Sequence, residues 1–324
     1  MSHPQQATQI DPDLPIVWED PTTLRVGFDR ARARLRAPSP AAQRVVAKLI
    51  AGASSEDLAA GPTGVTAAVL AALEPALVRT PQPRPAHEPP PRRACDLGLR
   101  RAPLLPAPQR PPIDQPPLRS VRVRIGDDGR ELPWLRAALT ANQACSFVRG
   151  RAPELAIEVL RFLEPLGRTR RWLGAGIPHL VIRFTDDAAR IGPLVAADGS
   201  PCHGCETLAV TDRDPALPAI AAQLYGGVPS SETPEVGLLV GAVAAHFVQS
   251  WRRNATWVHD HQLALRVARG TVSGFPKLTR IAPHPECGCS ISSRPRPPPR
   301  TATACARRGR RSRTPRAGAR RARG

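Results

Sequence analysis

Lysine is nearly missing from this chain: of its 46 basic residues only Lys48 and Lys277 are lysines, so arginine carries almost all the positive charge. Long apolar runs are missing too. The longest, from Val236 to Val248, is broken by His246 and falls short of the ~20 residues that span a bilayer, which excludes a membrane-crossing helix and a membrane partner. The opening MSHPQQATQIDPDLP has no basic stretch followed by an apolar core, which argues against a secretory signal and sets the expectation of a cytoplasmic protein. Cysteine is scarce, with seven in 324 residues. In a reducing compartment that excludes a disulfide scaffold and turns attention to metal ligands or catalytic thiols. Acidic residues are absent after Cys289, where twelve arginines account for most of the net charge of +19 and leave +7 for everything before. Such a tail could neutralise phosphates, but it lacks aromatic residues on which bases stack. It reads as a disordered extension, and nucleic acid is not expected as a partner.

What is present divides into four zones. Residues 1–80 open with LPIVW and TLRVGFD, two alternating segments that read as a hairpin. SPAAQRVVAKLIAG follows, with Ser39 as cap, Pro40 at the first helical position and Gly52 as the stop. SSEDLAA and TGVTAAVLAALEPAL supply two more helical patterns, so the zone has a winged-helix-like α+β inventory. Residues 81–117 are crowded with proline and arginine and read as an extended linker. Residues 118–289 alternate strand and helix patterns: RSVRVRI, RELPWLRAAL, ACSFV, LAIEVL, EPLGRTRRWLGAG and IPHLVIRF. That alternation predicts an α/β domain with a mostly parallel sheet. Helices are then expected from Asp214 and Pro215 and from Thr233 and Pro234. Residues 290–324 form the arginine-rich tail.

The closely spaced cysteines fall in two pairs, Cys202-x2-Cys205 in SPCHGC and Cys287-x-Cys289 in PHPECGC. Four thiolates in two pairs suit a closed, tetrahedral, structural zinc site. Redox chemistry at Cys202 and Cys205 is the competing reading, with unmetallated structural cysteines a third. The spacing of Cys287 and Cys289 is tight enough that His284 could replace one of them. Cys95 and Cys145 read as incidental, and Cys305 lies in the tail. Asp212 and Asp214 are better taken as cap and loop acids than as a metal pair, and His179 as a packed residue.

GIPHLVIRFTDDAARIGPLVAADGSPCHGC resembles the late part of the fold shared by ubiquitin-activating enzymes and ThiF-type adenylyltransferases. With TDRDPALPAIAAQL and PHPECGC added, it is most similar to the actinobacterial ThiF-like proteins of bacteriocin and azole-peptide biosynthesis, the leader-peptide-binding partners of YcaO cyclodehydratases. The resemblance implies a degenerate Rossmann-type sheet domain with a zinc site, preceded by a winged-helix-like domain that recognises a precursor's leader peptide. The adenylation machinery is not legible. IGDDGRELPW stands where a glycine-rich phosphate loop belongs, and Asp127 and Asp128 put negative charge there. The expectation is therefore a non-catalytic subunit that presents a precursor to a YcaO-type enzyme. An extended leader would add a strand at the hairpin edge formed by Leu24, Val26 and Phe28. Expected partners are the leader peptide and the YcaO enzyme, with a homodimer also allowed. The alternatives are a working ATP-dependent adenylyltransferase, and a nucleic-acid-binding protein using the winged-helix zone and the tail.

Overall fold

The computed structural model describes residues 6–81, 119–148, 152–163, 167–197, 199 and 201–289. The proline-arginine linker and the arginine-rich tail expected from the sequence lie outside the described residues.

β1 (Gln6–Ile10) ends in a two-stranded ribbon with β5 (Leu77–Pro81), and between them β2 (Ile16–Asp20), β3 (Thr23–Val26) and β4 (Ala33–Arg36) form an antiparallel meander. The first hairpin turns where Asp20 accepts hydrogen bonds from the Thr22 N–H and hydroxyl, satisfying the turn backbone locally. Three helices follow. In α1 (Pro40–Ala51) the Ser39 hydroxyl accepts from Ala42 N–H, and Gly52 ends the helix at φ 86°, as the sequence led us to expect. A reciprocal Ser54–Asp57 capping box starts α2 (Ser55–Ala59), and α3 (Thr63–Leu73) completes the set. Val45, Val46 and Leu49 of α1 and Val69 and Leu73 of α3 are buried with Leu24, Val26 and Ala33 in one cluster.

The larger sheet is built on β6 (Val121–Gly126), α4 (Pro133–Ala141), β7 (Cys145–Phe147), β8 (Leu155–Arg161), α5 (Arg170–Gly174) and β9 (His179–Phe184). It continues with β10 (Ala188–Val195), α6 (His203–Arg213), α7 (Leu217–Gln223), α8 (Pro234–Arg252), β11 (His261–Ala268), β12 (Thr271–Val272) and β13 (Lys277–Arg280). The strand order is β12-β11-β10-β9-β8-β6-β7, with β13 alongside β11.

The expectation of a mostly parallel sheet is corrected to a mixed one. Only β7, β6, β8 and β9 run parallel. β9 and β10 are joined by a turn of three residues, too short for a crossover, so they must be antiparallel, and β11, β12 and β13 continue that pattern. The helix expected from EPLGRTRRWLGAG contracts to the five residues of α5. Asp214 and Pro215 do not open a helix: Asp214 closes α6, and α7 begins at Leu217. Thr233 caps α8 and Pro234 opens it, as read from the sequence.

α4 and α8 cover one face of the sheet with Leu135, Leu139, Val236, Val240, Phe247 and Val248. They cross closely because Gly241 has no side chain; a Cβ there would stand 2.6 Å from that of Ala138 and 2.9 Å from Leu135 O. The amino-terminal elements are docked on this body. Val17 and Phe28 share an apolar cluster with Phe162, Leu217 and Ile220, and fully buried Arg25 reaches Asp214 at 2.6 Å. No helix among the described residues is long and apolar enough to cross a membrane.

Candidate metal centre

β10 carries the chain into the turn before α6, whose cap is Cys202 in extended conformation and whose first turn carries Cys205. Residues three apart share a helix face, so both sulfurs point the same way. The opposing pair arrives from β13, which is held antiparallel to β11. Beyond it Ile281 N–H donates to Asp260 O at 2.6 Å and Cys287 N–H to His284 O at 3.0 Å, closing the turn that presents Cys287 and Cys289. The four ligand atoms all lie within 4.8 Å of one another. Cys202 Sγ is 3.5 Å from Cys287 Sγ, and Cys205 Sγ is 3.3 Å from Cys289 Sγ. Tetrahedral thiolates about a divalent ion, with metal–sulfur bonds of ~2.3 Å, stand ~3.8 Å apart, so these two pairs would have to part by a few tenths of an ångström to accept the ion.

The surroundings are those of a cluster that could hold a metal. All four cysteines are unbridged and buried, packed with Val195, Leu173 and Leu208. Burial pushes Cys202 far above the ordinary thiol value, and burial with the neighbouring thiols takes Cys289 to about 11. Cys287 is drawn down against the same burial by the Cys289 N–H and the adjacent sulfurs. Four buried sulfurs cannot all ionise without a compensating cation, and a divalent ion supplies it. Gly204 lies under the cluster, where a Cβ would come within 3.3 Å of both Cys202 Sγ and Cys287 Sγ. His284 is not a ligand: its Nε2 is 2.8 Å from Asp212 Oδ2. Asp212 is thus hydrogen-bonded to His284 and Asp214 paired with Arg25, and the two are not paired with each other.

Behind the cysteines a buried ion pair ties α6 to the sheet. Glu206 lies 2.5 Å from Arg183 of β9 and accepts from Gln262 of β11 at 2.7 Å. Burial opposes its ionisation, but the Arg183 guanidinium and His203 hold its carboxyl down at about 2. His179 is fully buried, and burial pushes its imidazole down to about 4, so it is a neutral packed residue.

Leu24, Val26 and Phe28 are at most 7% exposed, and β3 is paired on both sides by β2 and β4. The expected leader-binding edge at these residues is therefore corrected: β3 is the centre of the meander and has no open edge. Its outer neighbours differ. β2 is closed off by Gln223 of α7, whose side chain accepts from Trp18 N–H at 2.8 Å and donates to Trp18 O at 2.7 Å. β4 has no further strand beside it among the described residues.

At the phosphate position of the sheet, the space a Gly126 Cβ would need is taken by the Glu158 carboxylate. Glu158 is fully buried, 2.6 Å from both Arg171 Nη2 and Trp172 Nε1. The carboxylate is fixed where a nucleotide phosphate would need hydrogen-bond donors. Sequence reading missed Glu158, because LAIEVL reads only as a strand; its one signal is a charge inside a run of apolar residues. A second cluster was also missed: Asp29, Asp186 and Asp187, whose carboxylates lie within 4.8 Å of one another. Arg190 is 3.0 Å from Asp29, and Asp186 accepts from Phe28 and Asp29 N–H. These groups join the amino-terminal unit to the sheet.

No protein-family model matches the sequence, and no curated protein matches it. Among solved structures the chain is similar to the heterocyclase TruD, at 13% identity over 87% of this chain and 42% of that one, with a TM-score of 0.42. It is also similar to MccB of E. coli, at 8% identity over 87% of this chain and 96% of that chain, with a TM-score of 0.38. A third likeness is to the E. coli microcin synthetase McbBCD complex, at 12% identity over 86% and 99%, with a TM-score of 0.38. The chain spans about two fifths of the length of the heterocyclase.

Proposed function

We propose that this protein is a non-catalytic, leader-peptide-binding partner in the biosynthesis of azoline-containing ribosomal peptides, with a structural zinc ion, and that it presents a precursor to a YcaO-type cyclodehydratase. The observation that carries the reading is the asymmetry of the small meander. β2 is sealed by Gln223, whereas β4 ends the sheet with α3 beside it. Ala37 N–H donates to Thr22 O at 2.6 Å, so alternation along β4 turns the N–H and C=O of Arg34 and Arg36 away from β3. An extended peptide can satisfy those groups as a fourth strand. Glu158 beneath Gly126 supports a role without adenylation, and the resemblance of PCHGC and PHPECGC to the ThiF-like partner proteins supports the pathway.

Because the amino-terminal unit shares its apolar cluster with Phe162 and α7, the test uses the full chain. A labelled leader peptide from a precursor encoded nearby should bind with an affinity that Arg36→Pro lowers at least tenfold, while Arg36→Ala, which keeps the N–H, changes it little. Equal binding by both variants would show that β4 is not the site.

A further inference from the structure

We propose that the cleft at the carboxyl ends of β6 and β8 is a binding site for a single carboxylate group, with Arg130 as its anchor. In open α/β sheets ligands settle outside the carboxyl ends of the strands, where the strand order reverses. Here β6 is followed outward by β7 on one side and by β8 on the other. A cavity of about 360 Å³ opens at that point, lined by Arg130, Arg161, Arg168 and Asp128 and floored by Leu160 and Leu163. Its size is that of a small-molecule site.

The charges determine what it takes. Arg161 is spent: it is paired with Glu232 through two short contacts of 2.6 and 2.8 Å, and it donates to Asp127 O and Arg130 O, fixing the loop after β6. Arg168 is paired with Asp128 and lies 3.4 Å from Glu158, which Arg171 also neutralises. Asp127 turns its carboxylate back to Gly129 N–H and does not line the cleft. Among the described residues four guanidinium groups thus face three carboxylates, and the one left over is Arg130. Its terminal nitrogens, among the described residues, donate only to the carbonyls of Gly226 and Gly227, at 3.2 and 3.5 Å. That leaves a full charge and further N–H groups for a ligand, and a guanidinium fork matches a carboxylate. One unmatched positive charge does not hold a triphosphate. An apolar floor suits the hydrocarbon body of an organic acid.

Tyr225 lines the same cleft, and it is the only tyrosine in the chain. Protein made with 3-fluorotyrosine therefore carries one fluorine resonance, placed at the site. Titration of the full chain with N-acetylleucine should move that resonance saturably, and N-acetylleucinamide should not. Arg130→Ala should weaken the effect at least tenfold, while Arg136→Ala, outside the cleft, should preserve it. Asp128→Asn, at a position whose φ of 58° asparagine tolerates, should tighten binding severalfold by removing a competing carboxylate. That arm stands even if Arg130→Ala fails to fold. An equal shift with the amide, weaker binding by Asp128→Asn, or magnesium-ATP binding more tightly than the acid would each overturn the assignment.

Discussion

Cys205 and Cys145 show how differently two buried thiols of one chain are placed. Cys145 stands alone in β7, and burial pushes its thiol up to about 12, so it is an inert packing residue. Cys205 stands among three other sulfurs. The purified protein should therefore contain about one zinc per chain. Cys205→Ser should lose the metal and ~3–5 kcal/mol of stability, about 10 °C in Tm for a domain of this size, whereas Cys145→Ser should keep the metal. Metal content and thermal unfolding check both halves, and equal metal content in the two variants would refute the site. That the cysteines meet was legible from their spacing as two close pairs, though spacing left redox and unmetallated roles open beside a metal. Glu158 and Arg130 were not, because their importance rests on which charges lack partners, and that is a property of the folded neighbourhood.

α8 was legible as a helix from Thr233, Pro234 and the apolar run behind them, but its crossing with α4 was not. Glycine inside a helix reads as a weakness of ~1 kcal/mol, yet Gly241 is where the two helices approach closest. Gly241→Ala would improve helix propensity and still drive a methyl group into Ala138 and the Leu135 carbonyl. The expected net outcome is a loss of ~1–3 kcal/mol, read from denaturant unfolding; a stabilised variant would show that the helices part without cost. The meander gives the same lesson. Its hairpin was visible as two alternating segments, but β4, in RARLRA, is too short and too charged to declare itself. Missing it made β3 look like an edge. A proline at Val26, fully buried in the central strand, should therefore unfold the amino-terminal unit rather than report on peptide binding. β10 to β13 escaped for a related reason: partners far apart in sequence decide the antiparallel half of the sheet.

At the scale of the whole molecule, the amino-terminal unit is held to the sheet by ionisable groups that compete for too little positive charge. Asp29, Asp186 and Asp187 crowd together, faced by Arg190 and, at 3.8 Å from Asp187, by Arg32. Asp29 stays ionised although burial opposes it, because Arg190 and hydrogen bonds from Asp187 and Thr185 hold its carboxyl below the usual range. Asp187 takes the opposite part. Burial, its hydrogen bond to Asp29 and the nearby negative charges push it up to about 7. In the folded state Asp187 therefore holds a proton that the unfolded chain, near 3.8, has released. Its favourable contribution is complete below pH ~4 and is lost as the pH rises to about 7. Asp187→Asn keeps a donor toward Asp29 and never ionises, so its stability relative to the unmodified protein should grow from pH 4 to 7 and then level off. Unfolding curves of both proteins across that range measure the difference directly, and a constant difference would show that Asp29 and Asp187 share no proton.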